Sequence, residues 1–128
     1  MDSNAIARAV IDAAMAVHTE LGPGLLESAY ESCLAYELSA RKLLVQRQLP
    51  VTVRYRAVVL DIGYRIDLLV ESSLVVEIKA VDHLGSIHVA QVLTYLKLSK
   101  LRLGLLLNFN TAHFRNGIRR VINGWPAS

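Results

Sequence analysis

The chain carries a single cysteine, Cys33, only three prolines, and aromatic side chains at just 6% of its 128 residues. One thiol excludes an intramolecular disulfide framework and suits a reducing compartment, so Cys33 reads as a buried structural thiol and the expected setting is cytoplasmic. The scarcity of aromatics argues against a long stacking platform for single-stranded nucleic acid. No apolar stretch reaches the roughly 18 residues that span a bilayer, because Glu, Lys or Arg interrupts each one. Met1-Asp2-Ser3-Asn4 also lacks the basic start and apolar run of a secretory signal, so no membrane partner is expected. Acid is missing from the C-terminal third. Every Asp and Glu lies at or before Asp82, and Lys97, Lys100, Arg102, Arg115, Arg119 and Arg120 follow. A net charge of +3 is too small to imply a polyanion partner by itself. Its distribution suits an anionic partner held near an acidic metal site, with a solvated basic face as the plain alternative.

What is present is apolar: 53% hydrophobic against 20% charged, enough to bury the core of one domain over residues 1–128. Ile6, Val10, Ile11, Ala14 and Val17 recur at three- and four-residue spacing, which predicts an amphipathic helix from Asn4 to Glu20, capped by Ser3 or Asn4. Gly22-Pro23-Gly24 ends it. A second helix is expected over about 25–42, with Leu26, Ala29, Tyr30, Leu34 and Leu38 on its buried stripe. Val45, Leu49, Val51, Val53 and Tyr55 then alternate through Pro50, as in an edge or bulged strand. Strands are expected over 58–62 and 64–70, with Arg56-Ala57 as a tight turn and Gly63 as a candidate bulge. Glu71-Ser72-Ser73 closes a hairpin into a strand over 74–80. A third helix over 87–98, a fully buried strand over 103–108 and a short helix over 114–123 complete an α/β sandwich with a mixed sheet.

One constellation stands out. Asp67 precedes Glu77-Ile78-Lys79 by ten residues, and the latter sit in the apolar run Leu74-Val75-Val76. Charges in such a strand are costly unless compensated. If Glu71-Ser72-Ser73 is the loop, Val70 pairs with Leu74, Leu68 with Val76 and Asp67 with Glu77. The two carboxylates then face each other and repel unless a cation intervenes. Glu77 and Lys79, two apart, share a face, while Ile78 points away and leaves its carbonyl as a further ligand. Phosphodiester hydrolysis uses such a set: a divalent cation lowers the pKa of a water and screens the phosphate, Mg²⁺ prefers carboxylate oxygens, and a lysine stabilises developing charge. The plain alternative is an E-x-K salt bridge, since the pattern is short.

Two further elements bear on that choice. Glu27 and Tyr30 stand one turn apart at the start of the second helix, although an acid in a first turn and a core aromatic would look the same. His88, Gln91 and Tyr95 share one face of the third helix; a core tyrosine and a solvated glutamine are the plainer readings. His88 reads as a rim or hydrogen-bonding histidine.

Gly24-x-x-Glu27-x-x-Tyr30 resembles the signature of the GxxExxY proteins, small members of the PD-(D/E)XK nuclease-like superfamily. The resemblance runs from about Ile11 through Asn123 and includes Leu21-Gly22-Pro23-Gly24-Leu25-Leu26-Glu27 and Gly104-Leu105-Leu106-Leu107-Asn108-Phe109. The order Gly24/Glu27, Asp67, Glu77/Lys79, Gln91/Tyr95 is also similar to RecB-type nucleases and CRISPR-associated exonucleases.

The resemblance implies a restriction-endonuclease-like three-layer sandwich, with a mixed central sheet flanked by helices. It implies a nuclease dependent on Mg²⁺ (or Mn²⁺), acting on DNA ahead of RNA through metal-activated water. Asp67 and Glu77 would match the metal-binding carboxylates, with the Ile78 carbonyl beside them, and Lys79 the catalytic lysine. Glu27 would match the helical acid that reaches the metal directly or through water. Gln91 and Tyr95 would support the site or touch the nucleic-acid backbone, with Tyr30 in support and Arg65 as a phosphate contact. Arg65-Ile66 stands where the superfamily often has a proline before the Asp. The small size leaves little room for a DNA-reading domain, which points to a homodimer or a larger assembly. A catalytically weak nucleic-acid-binding or assembly subunit, and a domain whose charged pocket binds another anion, remain as alternatives.

Overall fold

The computed structural model describes residues 1–124. The first helix, α1 (Ser3–Leu21), buries Ile6, Val10, Ala13, Ala14 and Val17 along one stripe. Its cap is Asp2, not Ser3 or Asn4: Asp2 has extended backbone and its Oδ1 accepts the Ala5 N–H at 2.7 Å. The helix therefore begins one residue earlier than expected, with an acid at its positive end. The second helix, α2 (Glu27–Ala40), buries Tyr30, Leu34 and Leu38 as expected. Leu26 departs from the expected stripe and is 77% exposed. It is the extended residue before the first turn, so helical periodicity does not apply to it.

The central sheet has five strands in the order β1 (Val45–Pro50), β4 (Arg65–Val70), β5 (Leu74–Lys79), β6 (Leu103–Asn108), β7 (Ile118–Ile122). Only β5 and β6 are parallel, and α3 (Ser86–Ser99) makes the crossover between them. The strand with Pro50 lies at the sheet edge, where a missing donor is tolerated. The alternating segment after it leaves the sheet. β2 (Val53–Tyr55) and β3 (Val58–Leu60) form a separate two-stranded ribbon around Arg56-Ala57, with Arg56 at φ 55. Residues 61–64, including Gly63 at φ 92, are the link back to β4 and not a bulge in one longer strand.

Residues 114–123, expected to be a helix, fold instead into a 3-10 turn at Phe114–Gly117 followed by β7. Two physical facts favour the strand. Ile118, Val121 and Ile122 are β-branched, and β6 would otherwise present an unpaired apolar edge. The pairing runs from Leu103 opposite Ile122 to Leu107 opposite Ile118.

Two cores sandwich the sheet. Leu68, Val70, Val76, Ile78, Leu105 and Leu107 pack beneath α1 and α2, while Leu69, Val75 and Leu106 pack beneath Val92 and Leu96 of α3. On the α3 side a Cβ at Gly104 would stand 2.7 Å from Val92 Cγ1, so glycine there lets the helix sit close to β6. The result is a three-layer α/β/α sandwich with a mixed sheet, the restriction-endonuclease-like architecture expected from sequence. Among the described residues no helix is long and apolar enough to cross a membrane.

Candidate active site

The β4–β5 ladder pairs Val70 with Leu74, Leu69 with Val75 and Leu68 with Val76, then stops. The next rung is Asp67 opposite Glu77, and there side chains replace backbone. Asp67 Oδ2 accepts the Ile78 N–H at 2.9 Å, and Glu77 Oε1 accepts the Asp67 N–H at 3.3 Å. Each carboxylate thus holds a backbone donor of the facing strand. Asp67 also marks a reversal in β4. Leu68 and Val70 pack in one core, whereas Ile66 and Leu69, three apart, pack in the other. On β1 the facing residue, Gln48, adopts a left-handed φ of 52. The strands therefore part where the acids stand.

Electrostatics follow from this geometry. Glu77 is only 3% exposed. Burial chiefly, then the charge of Asp67 and a hydrogen bond to it, pushes its carboxyl up to about 9; Lys79 and the Asp67 N–H oppose this only in part. Glu77 is accordingly neutral at pH 7 unless another cation joins Lys79. Two contacting acids, one held protonated by burial and by its neighbour, fit a small divalent cation with oxygen ligands, because such a charge would let both ionise. Ile78 turns its side chain into the opposite core, and Lys79, half-buried, shares the Glu77 face, as the two-residue period requires.

Glu27 approaches from the other layer. The Tyr30 hydroxyl donates to Gly22 O at 2.6 Å and accepts the Leu25 N–H at 3.1 Å, while its ring stacks on Phe109 at 4.6 Å. Tyr30 is fully buried and acts as a staple beneath the Gly22-Pro23-Gly24 turn, which needs Gly24 at φ 105. The staple sets where α2 begins and aims Glu27 at the end of β5, where its Oε2 accepts the Ala80 N–H at 3.1 Å. Glu27 thus reaches the same strand as Glu77 and Lys79. Among the described residues, though, no three His, Cys, Asp or Glu side chains converge as a ready metal cluster.

Helix α3 supplies Tyr95 and Gln91, joined by a 3.2 Å hydrogen bond from Gln91 Nε2 to the Tyr95 hydroxyl. Burial, then the nearby charge of Glu77 and more weakly of Asp67 and Tyr64, raises the Tyr95 pKa, keeping its hydroxyl protonated. With Lys79, Tyr64 and His88, these residues line a cleft of about 530 Å³. The His88 Nδ1 accepts the Gly85 N–H at 2.9 Å, so its ring caps its own helix. Arg65 is exposed at the start of β4.

Sequence reasoning missed a second layer of support. Gln48 Nε2 lies 3.3 Å from Asp67 Oδ1 and 2.6 Å from Glu31 Oε1, and Arg47 donates through two nitrogens to Glu31 Oε2 at 3.0 and 3.2 Å. The available signal was Glu31 four residues after Glu27, hence on the same helix face. Asn108, polar at the end of an apolar strand, is likewise buried and bonds both Val81 N and Val81 O, fixing the loop after Lys79. Of the C-terminal basic residues, the two arginines of β7 do not share a face. Arg119 and Arg120 are successive residues of β7 and so point to opposite faces, two strands from β5.

The family model described as the PD-(D/E)XK nuclease superfamily matches residues 4–121, and the chain belongs to that superfamily. No curated protein and no solved structure matches it.

Proposed function

We propose that this superfamily member is a Mg²⁺- or Mn²⁺-dependent nuclease hydrolysing phosphodiester bonds of DNA, with the GxxExxY and RecB-type order of site residues. The observation that carries the reading is the open end of the β4–β5 hairpin, where Asp67 and a neutral Glu77 meet beside Lys79. Asp67 and Glu77 would hold the cation, with the Ile78 carbonyl of β5 beside them and Glu27 reaching the end of that strand from α2. When bound, the cation supplies a water of lowered pKa and screens the phosphate. Lys79 stabilises negative charge developing on the phosphoryl oxygens. Glu77, neutral beside Asp67 when no cation is held, would serve as a ligand in its ionised form. Tyr95, held protonated, donates toward Glu77 or the substrate, and Gln91 keeps its hydroxyl oriented. Tyr30 places Glu27, and Arg65 meets a flanking phosphate.

Two observations favour a binding or assembly subunit of low turnover instead: Glu27 is engaged by the Ala80 N–H, and no three His, Cys, Asp or Glu side chains converge among the described residues. Two measurements separate the readings. Calorimetry with Mn²⁺ should show binding to the wild-type chain and loss of about tenfold or more in affinity for Asp67→Ala; equal affinity would remove the site. Incubation of linear, circular and single-stranded DNA with Mn²⁺ should give cleavage that Glu77→Ala abolishes. Metal binding without cleavage would select the subunit reading.

A further inference from the structure

Neither Asp67 nor Glu77 lines the cleft beside Lys79. One wall is α3, presenting Ile87, Thr94 and Leu98; the other is the foot of the ribbon, Val53 and Tyr64. Buried Tyr95 and half-buried Lys79 line it as well. Ile87 is 72% and Tyr64 46% exposed, so the walls are apolar yet open to solvent. A volume of about 530 Å³ lies within the range that takes a small organic group. An apolar slot with an ammonium in its lining is complementary to a flat ring joined to a phosphate. A base within a duplex enters only after it is unstacked and unpaired, which an already unpaired base does not require.

The ribbon adds charge of the right sign. Arg54, Arg56 and Arg65 are exposed, and Asp61 is the sole acid between Val53 and Arg65. None of these arginines makes a salt bridge among the described residues. Arg56 lies 5.3 Å over the ring of Tyr55, which is itself exposed and shares a ribbon face with Val53 and Leu60. Arg54, next to Tyr55 in the strand, lies on the other ribbon face, so Arg56 over Tyr55, with Arg65 at the start of β4, offers the surface for a phosphate backbone and an unstacked base.

We propose that this cleft takes one unpaired nucleotide, its base between Tyr64 and the α3 wall and its phosphate at Lys79, with Arg56 and Arg65 on the flanking backbone, so that the substrate is single-stranded. The inference rests on the nuclease reading only in placing a phosphate at Lys79. It also reconciles the low aromatic content with single-strand binding, since one slot and one ribbon suffice where a long platform is absent.

Binding, not cleavage, tests it. Fluorescence anisotropy, with Ca²⁺ replacing Mg²⁺, would compare four short probes of equal length: a mixed-sequence DNA strand, the same RNA strand, the DNA duplex, and an abasic sugar-phosphate strand of the same charge. The expected result is that the DNA or RNA strand binds about tenfold more tightly than the abasic strand and the duplex. The DNA-to-RNA ratio shows which sugar the site prefers. Ala90→Leu with Thr94→Leu narrows the cleft without changing charge, and should remove that preference. Equal binding of intact and abasic strands by the wild-type chain overturns the proposal, whether or not the double variant folds. So does a folded double variant that keeps the full preference. If duplex DNA is nevertheless cut, and Glu77→Ala stops it, the cleft assignment falls and the nuclease reading stands. Failure to bind any of the four probes would overturn both.

Discussion

The two ends of the β4–β5 hairpin are built from the same strands and do opposite things. At the turn end, Leu68 to Val70 and Leu74 to Val76 are buried and fully paired, every rung contributing to the ladder and to one of the two cores. At the open end the ladder stops, and Asp67 and Glu77 take up backbone N–H groups in place of carbonyls. A carbonyl and a carboxylate both satisfy a donor, but only the carboxylate brings charge. The strand pair thus keeps its backbone satisfied while placing two acids where hydrophobic residues would have been more stable. Such a local sacrifice of stability is what the proposed nuclease site would require.

The sharpest way to separate the ends is to break each one. Lys79→Ala should lower cleavage by about 100-fold or more while leaving the circular dichroism spectrum and Mn²⁺ binding intact; undiminished turnover would strip Lys79 of its assigned role. Leu74→Ala, at the turn end, should do the reverse. Loss of a fully buried leucine should cost about 2–5 kcal/mol in urea unfolding, with specific activity of the folded fraction unchanged.

A smaller effect should appear in the pH dependence of the metal-free chain. The Glu77 carboxyl is raised from 4.5 to about 9, so between those values the folded chain keeps a proton that the unfolded chain has lost. Stability should therefore fall as pH rises through that window and level off above it. Glu77→Gln should flatten the slope and raise the melting temperature at pH 7 by about 5 °C. Saturating Mn²⁺ should rescue the wild type but not the variant. A wild-type profile rising from pH 5 to 8 would contradict the burial of a neutral Glu77. The least expected change is in Gln48→Ala, which frees Asp67 from its tie to Glu31 and Arg47. About tenfold weaker metal binding with little change in melting temperature would mark Gln48 as a positioning residue. An unchanged affinity would make the tie incidental.

Much of the difference between the two ends is legible in the sequence. A tight loop and a two-residue period suffice to put Asp67 opposite Glu77, so the hairpin register follows from local rules. The helices α1, α2 and α3 announce themselves by apolar spacing, and β6 by its unbroken hydrophobic run. The misreadings share one cause. Residues 114–123 form a strand because β6 offers an edge to cover, and residues 53–60 form a separate ribbon because the chain leaves the sheet at Val51; neither choice is local. Gln48 and Glu31 were invisible for the same reason. Their connection to Asp67 spans 19 residues from β1 and a layer from α2.

The sequence by itself put a carboxylate pair and a lysine at one end of a hairpin once Glu71-Ser72-Ser73 is taken as the loop, because side-chain alternation and a short turn then fix the register. Which layer each helix occupies, how Tyr30 aims Glu27 at Ala80, and how burial holds Glu77 neutral were decided only by the tertiary structure. Desolvation and repulsion depend on what surrounds a group, and those surroundings come from residues far apart in the chain.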